Sequence, residues 1–324
     1  MMLDILAVGD LILDQVIKID HLPRGEDVQL ASQRELIVGG AANFAIMSRR
    51  LGLSTGILDA VGGDSLGKFV LDVLQREGIE ISQIRVKEGT TKSTLVLVTK
   101  RGEKSFIGLI GDYTALLSPN DVKPEVIEKA EGIYISGYSL GLKEFSSEGE
   151  AALKSANIAK DLGKKIFFDP GPLAPLIKRD LMIELMKCSA AVMLNLTEAR
   201  AITGSGDPVE SLRELHKLGA RIVALKLGEN GCIISDGKYL IKEAGIKVAV
   251  VDPTGAGDAF NAGIVYGLLR GLSPELTIRL ANVIGALSTT KLGAGQNLPT
   301  KMELISFLEK LDENELKSVI ERGQ

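Results

Sequence analysis

Asp258 is the acid best placed to do chemistry, because it closes the run Asp252-Pro253-Thr254-Gly255-Ala256-Gly257-Asp258. The apolar stretch 259–269 that follows, with small residues on one side, predicts a buried helix opened by glycines. Backbone N–H groups at such a helix start are unpaired and lie at the positive end of the helix dipole. Gly255, Ala256 and Gly257 therefore offer an anion hole with no large side chain in the way. Asp258 falls in the first turn, where the same field keeps a carboxylate ionised and ready to take a proton from a hydroxyl. Ordinary helix capping accounts for an acid at this place equally well.

A second glycine-rich turn, Gly39-Gly40-Ala41-Ala42-Asn43, opens another predicted helix and carries an amide in place of the acid, which as a helix cap would need no further role. Together the two runs resemble the two signatures of the ribokinase/PfkB carbohydrate-kinase family, a Gly-Gly-x-x-Asn and an Asp-x-Thr-Gly-Ala-Gly-Asp, and the resemblance extends over nearly the whole chain. It implies an ATP-dependent phosphotransferase with an alcohol acceptor, Asp258 as general base and Gly255, Ala256 and Gly257 as the anion hole. Val8-Gly9-Asp10 through Asp14 resembles the family's first strand, so Asp14 is the leading acceptor ligand, with Gly39, Gly40 and Asn43 beside it. Asn195-Leu196-Thr197-Glu198 resembles the Asn-x-x-Glu segment, which implies Mg²⁺ organised through water by Glu198 and phosphates met by Asn195. Lys226, Gly228 and Gly231 resemble the strand and turn that approach the nucleotide, and Asn282 lies on the helix expected to wall the adenine pocket. By the same resemblance the Asp252 side chain and the Thr254 carbonyl are expected to hold a monovalent cation, K⁺, as an activator.

Ribokinase proper has a Lys-Gly pair after its double glycine. This chain has Ala41-Ala42 and is one residue shorter there, so ribose itself is not implied. Asp112, Asp169 and Lys104 are candidates for acceptor specificity without a defined role. A nucleoside kinase of the same family is the nearest alternative, and a non-catalytic sugar or nucleotide sensor is a reading that the presence of Asp258 opposes.

These residues need a frame. Short apolar runs at 5–8, 57–61, 132–135, 165–168, 191–194 and 221–226 alternate with amphipathic stretches such as 42–51 and 66–77, the rhythm of βαβ units around a parallel sheet. Ligands of such sheets gather at the carboxyl ends of the strands. Two segments break the rhythm, 11–37 and 94–110, where β-favouring residues surround the turns Pro23-Arg24-Gly25 and Arg101-Gly102-Glu103. The resulting expectation is a Rossmann-like three-layer α/β/α core with a mainly parallel sheet plus a small β-sheet lid. A single ribokinase-like domain would span 1–324, with lid segments at approximately 11–38 and 92–111. Unpaired lid edges suggest a homodimer formed through the lid.

Composition narrows the partners. A net charge of −4, a pI near 5.5, no Trp and 4% aromatic residues leave neither a basic field nor a stacking surface for nucleic acid. Two cysteines far apart, Cys188 and Cys232, fit thiols in a reducing compartment. The chain opens without a basic leader and has no apolar run of ~18 residues, so the cytoplasm is the expected location and a membrane is not an expected partner. Two further motifs are decoys. Gly62-Gly63-Asp64-Ser65-Leu66-Gly67-Lys68-Phe69 fits a P-loop until Phe69 replaces the hydroxyl that Mg²⁺ requires. Gly137-Tyr138-Ser139-Leu140-Gly141 fits a nucleophile elbow, but neither His21 nor His216 is placed to act as its base.

Overall fold

The computed structural model describes residues 2–141 and 146–322. Its strands are β1 (Leu3–Val8), β2 (Leu11–Ile19), β3 (Gln33–Gly40), β4 (Thr55–Gly62), β5 (Ile84–Lys87), β6 (Ser93–Thr99), β7 (Lys104–Leu109), β8 (Ala130–Ser136), β9 (Lys165–Asp169), β10 (Ala191–Asn195), β11 (Val223–Lys226), β12 (Cys232–Ser235) and β13 (Leu240–Glu243). The helices are α1 (Ala41–Arg50), α2 (Ser65–Arg76), α3 (Pro124–Glu128), α4 (Tyr138–Gly141), α5 (Ser146–Asp161), α6 (Arg179–Cys188), α7 (Leu196–Thr203), α8 (Pro208–Lys217), α9 (Ala256–Arg270), α10 (Pro274–Ser288), α11 (Lys301–Lys310) and α12 (Asn314–Arg322).

Nine strands form one sheet in the order β13-β12-β11-β10-β9-β8-β1-β4-β5, parallel except where β12 pairs with β11 and β13. The six runs expected as core strands form its middle, β11 to β4, and β5, β12 and β13 add to its two edges. β4 is buried along its whole length and β1 along all but one residue, which is why both read as continuous apolar runs and not as alternating ones. Hydrophobic cores lie on both faces of the sheet, one built on α1, α9 and α10 and the other on α5, α6, α7 and α8. α9 packs on α10 through its small residues: a Cβ on Gly263 would lie 2.7 Å from the Cα of Ala281, and one on Gly267 would lie 2.4 Å from Oγ1 of Thr277. No helix among the described residues is long and apolar enough to cross a membrane.

The two segments that broke the helical rhythm form a second, separate sheet in the order β3-β2-β6-β7, with β2 and β6 parallel. β2 leaves β1 through Gly9 and Asp10, both at positive φ, and the chain returns through β3 to Gly40, which pairs with Leu11. A side chain at Gly40 is impossible, since its Cβ would lie 1.7 Å from the carbonyl oxygen of Asp10, and that oxygen accepts from the N–H of Ala41 at 2.9 Å. The smaller sheet therefore rises from the carboxyl end of β1 on a narrow stem, and α1 starts at its foot.

Buried charge braces this stem. Asp59, within β4, accepts from the N–H of Leu11, while Lys92, just before β6, accepts at its carbonyl from the N–H of Leu13. The Lys92 ammonium donates to both carboxylate oxygens of Glu148 at 2.6 and 2.9 Å, with both side chains almost wholly buried. Burial alone would discharge the lysine, but the fields of Glu148, Asp59 and Asp10 outweigh it and hold its pKa above the ordinary lysine value. Removing one partner of such a group strands the other charges in a low-dielectric interior. Lys92→Met is expected to lower stability to urea unfolding by about 3–5 kcal/mol. Adding Glu148→Met should recover only part of this, because Asp59 and Asp10 still lean on the lost cation.

Candidate active site

The sequence opens α9 with the residues best suited to leave its first amides free. Gly255 is the residue before the helix and takes the left-handed conformation, φ 77° and ψ −2°, with no side-chain cap. A Cβ there would lie 2.8 Å from Cβ of Ala294, so glycine is required on both counts. The N–H of Ala256 turns back to the carbonyl of Pro253 at 3.2 Å. Those of Gly255, Gly257 and Asp258 have no hydrogen-bond partner among the described residues. Asp258, in the first turn, does not cap the helix.

Its carboxylate faces α1 instead. Nδ2 of Asn43 donates to Oδ2 of Asp258 at 2.9 Å, and Oδ1 of Asn43 accepts from the N–H of Gly295 at 2.8 Å. Asn43 is thus not a cap, α1 being preceded by uncapped Gly40. Its amide bonds the acid at one end and Gly295 at the other, with one N–H and one lone pair to spare. Burial pushes the Asp258 carboxyl up to about 7; the Asn43 bond and Lys226 pull it down, while Asp169 and Glu198 push it further up.

Behind Asp258 lies a second polar layer that sequence spacing did not disclose. Nζ of Lys226, at the end of β11, donates to Oδ2 of Asp169 at 3.1 Å and to Oδ1 of Asn261 at 3.2 Å. Nδ2 of Asn261 donates to Oδ2 of Asp169 and to the Tyr134 hydroxyl, and the Tyr134 ring stacks on Phe44 of α1 with centroids 3.8 Å apart. A Cβ on Gly257 would lie 3.5 Å from the Lys226 ammonium, so this cation sits directly beneath the open amides. Asn261 had left a signal, a polar residue one turn after Asp258 in an otherwise apolar helix, but its partners on β8, β9 and β11 are set by the sheet order alone.

Asn195 and Glu198 form a reciprocal capping box at the start of α7: Oδ1 of Asn195 accepts from the Glu198 N–H at 2.9 Å, and Oε2 of Glu198 accepts from the Asn195 N–H at 2.8 Å. Burial, reinforced by Asp169, raises the Glu198 pKa, with Lys226 opposing. Among the described residues no group of three or more His, Cys, Asp or Glu is arranged to hold a metal ion. The donors present would fit a magnesium ion held mainly by phosphate oxygens and water, which Glu198 and Asn195 would meet through water.

Two more acids stand on the stem of the small sheet, Asp10 within the field of Asp258. Burial raises Asp10 to about 8, with Lys92 partly offsetting it and Asp258 adding to the rise. Burial likewise raises Asp14 to about 6, opposed by the nearby charge of Lys104. Asp14 can stand where it does because Gly39 faces it: a Cβ at Gly39 would lie 3.1 Å from Oδ2 of Asp14. Asp10 went unassigned in the sequence, although its place directly after Gly9 at the end of the first strand was a usable signal.

Lys104, at the start of β7, reaches the turn before α9. Its ammonium donates to Oδ1 of Asp252 at 2.7 Å and to Oγ1 of Thr254 at 3.0 Å. The Asp252 carboxylate, 4% exposed, also accepts from the Thr254 hydroxyl and N–H at Oδ1 and from the Gly293 N–H at Oδ2. Burial alone would raise its pKa, but these donors, Lys104 first, hold it below the ordinary carboxylate range.

The remaining assigned residues lie on the turn after β11, on α10 and on the segment after β7. Gly228 and Gly231, both at positive φ, shape the turn between β11 and β12. Asn282 is mostly buried in α10 and donates to the carbonyl of Ala244 at 2.7 Å, a tether between α10 and the chain leaving β13. Asp112 is exposed. Both decoys resolve as structure: Asp64 caps α2 by accepting from the Gly67 N–H, and the buried Ser139 hydroxyl donates to the Ser136 carbonyl.

The pfkB family carbohydrate kinase model matches residues 2–301. The chain is 29% identical over 301 residues to an ATP-dependent 6-phosphofructokinase from Thermoanaerobacterium thermosaccharolyticum, covering 91% of each. It is 28% identical over 311 residues to a ribokinase from Haemophilus influenzae, covering 94% of this chain and 97% of that one. Among solved structures, a putative ribokinase II from E. coli in complex with ATP and Mg²⁺ matches the fold at a TM-score of 0.83 and 23% identity, over 95% of this chain and 100% of that one. A phosphotransferase acting on an alcohol group, this chain belongs to the pfkB family of carbohydrate kinases.

Proposed function

We propose that the protein transfers the γ-phosphoryl group of ATP in line to a hydroxyl of a small, uncharged sugar or sugar-like molecule, with Asp258 as general base. The supporting observation is a single one. A carboxyl held near neutrality stands beside unpartnered N–H groups at a helix start, with the Lys226 cation beneath them. A hydroxyl placed against Asp258 gives up its proton as the new O–P bond forms. The Gly255–Gly257 turn receives charge on the transferred group, and positioning supplies most of the remaining acceleration. Magnesium, when bound, neutralises charge on the phosphates; Glu198 and Asn195 would orient its waters.

Asp258→Asn is expected to lower kcat by ~10²–10⁴ while leaving ATP affinity nearly unchanged. In the wild type, kcat/KM for the acceptor should fall about tenfold per pH unit below the Asp258 pKa of about 7, because only the ionised carboxylate accepts the proton. Stability moves the opposite way. An acid whose folded pKa lies above its unfolded value keeps more protons in the folded state, so its contribution to stability is lost as pH rises towards about 7. The Asn variant should therefore melt higher than the wild type at pH 8 and lose that advantage at pH 4. Near-normal turnover in the variant would remove the assignment.

Uncharged acceptors are favoured by the field of the cleft. Asp14 and, above its pKa of about 7, Asp258 carry negative charge, Asp10 joins them only above about 8, and the Lys104 ammonium is bonded to Asp252. Asp14 is the group to grip adjacent hydroxyls, since its carboxylate can accept two hydrogen bonds, while Asp10, raised to about 8, would donate one as the protonated acid. In a coupled ADP-release assay, free sugars or nucleosides should be phosphorylated well ahead of fructose 6-phosphate or 2-keto-3-deoxygluconate. Preference for an anionic acceptor would refute the charge argument.

We also read the small sheet as a lid inserted in a single domain, and as the site of a homodimer. β7 is an edge strand whose Phe106 and Ile107 are exposed. Light scattering should return a dimer mass.

A further inference from the structure

The turn before α9 contains oxygens suited to a monovalent cation, but its side-chain oxygens, those of Asp252 and Thr254, already face donors. Oδ1 of Asp252 is surrounded by three donors, the Lys104 ammonium, the Thr254 hydroxyl and the Thr254 N–H. Oδ2 faces the N–H of Gly293, and Oγ1 of Thr254 accepts from Lys104 while donating to Asp252. A potassium ion requires lone pairs turned towards it; here hydrogens are turned inward, and a full positive charge already sits on the carboxylate. We propose that the ammonium of Lys104, carried by strand β7, is this enzyme's built-in monovalent cation at the turn that opens α9.

Position makes the substitution more than a swap of charges. Asp252 lies three residues before Gly255, at the base of the turn whose amides are left open, and its carboxylate is almost fully buried. A buried carboxylate without a counter-charge is costly, and its negative field would weaken the neighbouring anion hole. An ion from solution can fill such a site at any time. A lysine on the small sheet fills it only while that sheet lies over the cleft. The same ammonium is close enough to Asp14 to lower the pKa of that acid. One cation thus connects the acceptor ligand, the covering sheet and the anion hole, so the turn is fully neutralised only in the closed arrangement. Displacing the sheet to admit an acceptor would withdraw Lys104 and leave the open enzyme with an impaired hole, which would suppress ATP hydrolysis in the absence of acceptor.

The proposal rests on the reading of Gly255–Gly257 as the anion hole, so its test has one arm that needs no turnover. Wild type and Lys104→Met are compared in potassium chloride and in choline chloride at equal ionic strength. The readouts are melting temperature and kcat with Mg-ATP and an accepted acceptor. Wild type should show the same melting temperature and the same kcat in both salts. Lys104→Met should melt lower in choline and regain part of the loss in potassium, with kcat down about tenfold or more in choline and partly restored by potassium. Potassium stimulation of the wild type by severalfold would overturn the proposal. So would a Lys104→Met enzyme that is unaffected in choline, or one that is damaged and not helped by potassium in either readout. Should no acceptor be phosphorylated, the kinase reading fails on its own, while the melting temperatures still decide whether Lys104 takes the cation's place.

Discussion

The bond from Asn43 to Asp258 is the contact on which the rest of the site depends. It joins the starts of two helices 215 residues apart in sequence, α1 at the foot of the small sheet and α9 beyond the last strand of the large one. The other end of the Asn43 amide holds Gly295, whose neighbour Ala294 lies against Gly255. One buried amide therefore fixes the direction of the Asp258 carboxylate, the place where the chain re-enters after α10, and the packing of the turn that leaves the α9 amides open.

Around this bond the molecule tolerates an unusual density of negative charge. Asp10, Asp169 and Glu198 each act on Asp258 or feel its charge, Asp14 stands on the same stem as Asp10, and burial raises several of them. What makes the arrangement stable is the placement of three lysines at different depths. Lys92 lies within the stem beside Glu148, Lys226 beneath the α9 turn beside Asp169, and Lys104 above that turn beside Asp252. Each cation compensates a different part of the acid cluster, so the charge is balanced locally and Asp258 is still left with a pKa near neutrality. A carboxyl of that kind changes charge near physiological pH, at the cost of stability as pH rises.

Glycine plays the complementary part, removing side chains where backbones must meet. Gly40 lets the returning chain lie against the Asp10 carbonyl, and Gly255 lets α9 begin against Ala294. Both positions have positive φ, so the need for glycine is conformational as well as steric. The two glycine-rich runs that stand out in the sequence are therefore the two places where the fold is most tightly constrained.

Much of this was determined by the sequence alone. Continuous apolar runs specify buried parallel strands, because a strand covered on both faces has no polar side to display. The interruptions at 11–37 and 94–110 specify a second sheet, and the two glycine turns mark where helix starts and polar residues come together. Asp258 and Asn43 stand out as polar residues local to those turns, since their positions follow from a few bonds of chain, whereas Asp14 was picked out by the likeness of its strand to a family pattern. The tertiary structure alone decided what each of them faces. That Asn43 serves Asp258, that Lys226 is paired with Asp169 and Asn261, that Asn282 tethers Ala244, and that Lys104 spans 148 residues of sequence to neutralise Asp252 are consequences of strand order and sheet twist. No local pattern encodes such pairings, since a charged side chain reads the same in sequence whether it ends in solvent or against a buried partner.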